Sequence, residues 1–92
     1  MTDKAKLAEQ QARGERARQI LEDPLVKEFF GQAEEETMTA WRNSAIDETD
    51  VREDAWRMYQ ALQRLRSCFQ TTIANGEFAR HQLLKLNQTE KS

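Results

Sequence analysis

The 92-residue chain has one cysteine, one proline, one histidine and three glycines, and no apolar run near the ~20 residues that a membrane span needs. Each scarcity excludes something. A single cysteine, Cys68, rules out an internal disulfide framework and suits a reducing compartment. His81 and Cys68 sit on opposite sides of Asn75-Gly76 with no signature around either. That leaves no nucleophile–base pair and no zinc spacing, and no glycine-rich loop is present to cradle phosphate. The first eleven residues lack the apolar core of a signal peptide. So little glycine and proline, with 8% aromatics, argues against a sandwich or barrel. The reading is a single small all-α domain, 1–92, non-enzymatic, without cofactor or metal, in a cytoplasm, the inside of a virus particle being compatible as well.

What is abundant is charge, at 33% of residues with a net of −2. Its distribution is uneven. Residues 1–19 carry five basic and three acidic groups, 20–54 carry three and eleven, and 55–92 carry six and two. An acidic middle between basic flanks admits two readings. One is separate surfaces for an acidic and a basic partner. The other, favoured, is self-complementation, with Glu28 and Glu35 facing Arg57 and Arg64, each pair being seven residues apart.

The strongest pattern is a heptad run, Val51, Ala55, Met58, Leu62, Leu65, Phe69 and Thr72, in steps of four and three. That spacing places all seven on one face of a helix that needs another helix to cover it. The rest of the chain follows. Residues 3–22 are strong helix formers with thin apolar content, weakened at Gly14 by about 1 kcal/mol, and predict a first helix prone to fraying. Asp23-Pro24 predicts a boundary, with aspartate as cap and proline in the first turn of a helix over 24–42. Its stripe is Val26, Phe30, Ala33, Thr37 and Trp41, widened by Leu25, Phe29 and Met38. Residues 43–49 form the connection, with Ile46 packed under the loop and Asp50–Glu53 spaced as a capping box. A third helix spans 51–74 and stops at Asn75-Gly76, a short helix spans 77–86, and the last six residues are a polar tail. The architecture predicted is an antiparallel helical hairpin, 24–42 against 51–74, with a shorter helix at each end, completed to a bundle by self-association.

Candidate functional residues are therefore interface residues. Phe29, Trp56, Tyr59 and Ile73 widen the apolar surface beyond the seam, and tryptophan and tyrosine dominate interface energetics. Trp56 lies off the centre of the seam and is the better anchor, while Trp41 suits the hairpin core. A second candidate is an acidic patch of Glu34, Glu35, Glu36, Asp47, Glu48, Asp50, Glu53 and Asp54. Glu34-Glu35-Glu36 cannot converge on one cation, because consecutive helical residues point in different directions. The basic residues Lys4, Lys6, Arg13, Arg16 and Arg18, and Arg57, Arg64, Arg66, Arg80, Lys85 and Lys91, show no dense recognition helix, which argues against nucleic acid as the main partner. No polar face is basic enough for membrane-surface binding.

The pattern Leu21-Glu22-Asp23-Pro24-Leu25, then Trp41, then Arg52-Glu53 with Trp56 three residues on, then Gly76, resembles a group of small helical proteins of tailed bacteriophages over residues 20–76. That group is mostly of unassigned function, so the resemblance implies a phage origin more firmly than an activity, and it carries no catalytic residues. Taken with the uncovered seam, the first reading is a minor virion or head-assembly component in a host cytoplasm or virion, whose partners are itself, as a homodimer or higher, and another protein. The alternative is a small inhibitor of a host enzyme or defence complex acting through the acidic segment. The third is a DNA-packaging accessory with weak DNA binding.

Overall fold

A computed structural model describes residues 3–91 of the chain. They form three α-helices, α1 (Lys4–Glu22), α2 (Pro24–Asn43) and α3 (Thr49–Lys91). No strand is present among them, so the chain is all-α.

The break between α1 and α2 falls where sequence places it. Asp23 leaves helical geometry at φ −60° and ψ 127°. Its carboxylate accepts from the Leu25 and Val26 backbone N–H groups at 2.9 and 3.2 Å, and Pro24 fills the first turn without needing a donor. Asp23→Ala is therefore expected to cost about 1 kcal/mol in a denaturant titration, and Asp23→Asn is expected to restore most of it. No loss in the alanine variant would show that the cap is dispensable.

The other boundaries differ from expectation. α3 opens at Thr49, with the Arg52 N–H donating to the Glu48 carbonyl at 3.2 Å, so Asp50 lies inside the first turn and caps nothing. Ile46 does not pack under the loop. It is 89% exposed, and its carbonyl accepts from Arg52 Nη2 at 2.8 Å. The largest difference is at Asn75-Gly76. α3 runs through it without a break, so the separate last helix does not form, and the residues expected as a polar tail are helical as far as Lys91, Ser92 lying outside the described residues. Gly76 does not adopt a positive φ.

Packing divides the chain into two units, residues 22–67 and residues up to 21 together with those from 68 onward. In the second of these, α1 lies against the later part of α3, and the reason for Gly76 is there. A Cβ on Gly76 would stand 2.7 Å from the Gly14 Cα and 3.2 Å from the Gln10 carbonyl oxygen; one on Gly14 would stand 2.7 Å from the Gly76 Cα. Two backbones touch, which only glycine allows. Ala17 and Ala79, each three residues further along, are buried too. Gly14-x-x-Ala17 and Gly76-x-x-Ala79 make a crossing of small residues. The glycine read as a weak point and the glycine read as a stop are the two halves of one contact.

In the unit 22–67, α2 contacts the first part of α3. Arg66 pairs with Glu34 and lies over the Phe30 ring, 5.0 Å from its centroid, and Trp41 meets Trp56. On α2 the covered line is Val26, Phe30, Ala33, Glu34, Thr37 and Met38, with Thr37 Oγ1 donating to the Glu34 carbonyl at 2.8 Å.

Candidate interaction surface

Cover is thin everywhere. Among the described residues the buried apolar side chains are Leu7, Ala17, Ala55 and Ala79, and no large side chain is fully buried. The large apolar groups sit outside instead. In the unit 22–67 these include Leu25, Phe29, Trp41, Val51, Trp56, Met58 and Leu65, most of them about half exposed. Isolated exposed apolar residues are ordinary, whereas this many on so small a unit make it a candidate interaction surface.

The seven-residue run is covered only in part. Ala55 is buried and Leu62 half-buried, but Val51, Met58 and Leu65 stay exposed, and Arg52, Tyr59 and Arg66 are half-buried in their place. The covered line on α3 is thus displaced by one residue at every other position. The cause is visible at Arg66. Its aliphatic stem can pack, its guanidinium reaches Glu34, and its charge sits over Phe30, so a residue counted as polar seals the helix pair. Phe69 is half-buried in the other unit.

The four candidate interface residues are not gathered in one place. Trp56 and Tyr59 stand together, with centroids 6.3 Å apart and planes inclined by 22°. Trp41 joins them at 6.3 Å from Trp56, inclined by 43°. This ladder of three rings is half open to solvent, with Trp41 44% and Trp56 52% exposed. Trp41, expected in the core, therefore belongs to the surface. Phe29 is exposed elsewhere on α2, and Ile73 lies in the other unit, half-buried and lining a cleft of about 290 Å³ with Gln11, Gly14 and Gly76.

The acidic candidates are partly consumed by local pairing. Glu34 holds Arg66, Glu35 holds Arg42 at 3.1 Å, and Glu53 reaches Arg57 at 3.6 Å. The Glu48 carboxylate accepts from the Ala45 N–H at 3.0 Å. Glu36, Asp47, Asp50 and Asp54 are exposed. The pairing of Glu28 and Glu35 with Arg57 and Arg64 does not form, since Glu35 takes an arginine of its own helix and Arg66 is the arginine that crosses.

In the other unit Arg18 bridges α1 to α3 through Glu77 at 2.6 Å, with Glu15 at 3.3 Å from Arg18 and Arg80 at 3.1 Å from Glu77. The hydrogen bond and charge of Arg80, then the charge of Arg18, hold the Glu77 carboxyl below the usual carboxylate range. Its stabilising effect is complete above the ordinary carboxylate pKa and is lost as the pH falls through the lowered one. The Lys91 side chain lies outside the described residues. Among the described residues no three His, Cys, Asp or Glu side chains converge as a metal site would require, and no helix is long and apolar enough to cross a membrane. Comparison with known protein families, curated proteins and solved structures gives no match.

Proposed function

We propose that this protein works by protein–protein interaction, without catalysis. In this reading α2 and the first part of α3 form an antiparallel helical hairpin that self-associates and docks a second protein. The observation that carries it is the mismatch between the core and the surface: the core holds mainly small side chains, while two tryptophans, a phenylalanine and several aliphatic residues remain exposed. A chain this short gains little from burial alone, and association is the usual remedy. The likeness of residues 20–76 to tailed-phage proteins supports a minor virion or head-assembly component. The pairing of Glu34, Glu35 and Glu53 with arginines supports assembly over inhibition of a host enzyme, because it leaves fewer carboxylates free to fill a basic cleft.

The ladder of Trp41, Trp56 and Tyr59 is the surface for the second protein. Its test is a tagged pull-down from phage-infected cells, read by mass spectrometry. Portal, capsid or other virion proteins are expected among the recovered chains; recovery of one host complex without virion proteins would overturn the assembly reading. Trp56→Ala is expected to weaken that capture roughly tenfold or more while leaving the thermal midpoint nearly unchanged. A large loss of helicity in this variant would make Trp56 a core residue.

A further inference from the structure

Val51, Met58 and Leu65 repeat every seven residues along α3 and are 42%, 56% and 49% exposed. They flank the line that α2 covers, on the side away from Arg52, Tyr59 and Arg66. On α2, Leu25 and Phe29, four residues apart, are 56% and 55% exposed. At about 100° per residue, Phe29 and Leu25 lie roughly 100–140° from the covered line through Phe30 and Thr37. Met58 and Leu65 are turned by a similar angle, in the same sense, from the covered line of α3. The contacts pair Phe30 and Glu34 with Arg66, and Trp41 with Trp56, so α2 and the first part of α3 run in opposite directions. Equal turns in the same sense then fall on one side of the helix pair. The Trp56 side chain is turned the other way. The unit 22–67 therefore has two apolar faces, one aliphatic with Phe29 and one built of stacked aromatic rings.

We infer that the face of Phe29, Val51, Met58 and Leu65 is where a second copy of this chain docks, by a two-fold axis near Ala61 and Leu62. This rests on the self-association proposed above and assigns it to one of the two faces. The stripe is self-complementary. About an axis between Ala61 and Leu62, Met58 of one copy meets Leu65 of the other, and the reverse, as a two-fold interface requires. Its seven-residue period is that of helices packing knobs into holes, and Ala55, Ala61 and Leu62 between the larger residues are small or aliphatic. Two charged residues border the stripe, Asp54 between Val51 and Met58 and Glu36 seven residues after Phe29, both exposed; about this axis Asp54 faces Phe69 of the other copy and not its own counterpart. The size also fits. Five large apolar side chains at about half exposure offer on the order of 500 Å² per copy, so two copies reach the ~1,000 Å² at which a stable interface begins. A second copy is also the one partner present wherever the chain is made.

The test uses the full chain and reads mass by light scattering after size exclusion, with helicity by circular dichroism. The wild type is expected to run as a dimer. Met58→Glu with Leu65→Glu is expected to weaken dimerisation roughly a thousandfold or more, because both symmetric Met58–Leu65 contacts are lost and four charges are placed in the interface, with helicity kept since both residues are exposed. Met58→Gln with Leu65→Gln, polar but uncharged, is expected to weaken it in the same direction and serves if the glutamates disturb the fold. Trp56→Ala is expected to leave the dimer intact. A wild type that is dimeric, and stays dimeric in both double variants, would overturn this face while self-association stands. A wild type that is monomeric at every concentration would overturn both.

Discussion

Gly76→Ala destabilises the chain by about 1–3 kcal/mol, the range for forcing atoms into a packed contact. Helix propensity alone predicts the opposite sign, since alanine is worth about 1 kcal/mol more than glycine in a helix interior. The geometry decides against propensity. The new Cβ would stand 2.7 Å from one backbone atom and 3.2 Å from another, and a backbone cannot rotate away as the end of a lysine would. α1 must lift off α3 or slide along it, and either movement strains the Arg18–Glu77 bridge. The control is Gly31→Ala on α2. A Cβ there meets nothing within 4 Å, so the same substitution is expected to stabilise by about 0.5–1 kcal/mol. Urea titrations of the two variants read the signs directly. A stabilised Gly76→Ala protein would mean that the helix crossing does not exist in solution.

Leu62→Asp is expected to cost several kcal/mol, a large part of what a chain of this size has. Leu62 is half-buried on α3, two turns from buried Ala55 and about one turn from half-buried Tyr59. Arg66, four residues on, is already held by Glu34 and lies over Phe30, so an aspartate there would lose water and could pair only by competing for that guanidinium. The variant is expected to be largely unfolded, or monomeric with a strongly lowered thermal midpoint. A variant with wild-type mass and midpoint would remove Leu62 from the packed seam.

How much of this was legible in the sequence depends on what each residue does. The Asp23-Pro24 break could be read because both its causes are local: a carboxylate two and three residues from the N–H groups it caps, and a ring that fixes one torsion. The all-helical class could be read from composition and period. The face of α3 could be read only to within one residue, because hydropathy ranks Arg66 as solvent-facing and cannot anticipate that Glu34 and Phe30 will receive it. Asn75-Gly76 was misleading for a deeper reason. Glycine ends helices when its backbone turns, and it permits close approach when a second backbone is present, and nothing in residues 75–76 distinguishes the two. The distant signal was the matched spacing of Gly14 with Ala17 and Gly76 with Ala79, which makes sense only once two helices are considered together. The tryptophans show the same limit. Trp41 fits a core stripe by spacing, but it faces Trp56, and two large rings across one narrow helix pair leave both half exposed.

The larger apolar side chains of this chain stay exposed, as a surface kept for association would be. Sedimentation equilibrium of the wild-type chain across a wide concentration range tests that association most directly. The expected result is a mass of two chains, each of 10.8 kDa, that falls toward one only on dilution, with a loss of thermal stability. A single-chain mass at all concentrations, with a thermal midpoint independent of concentration, would contradict it.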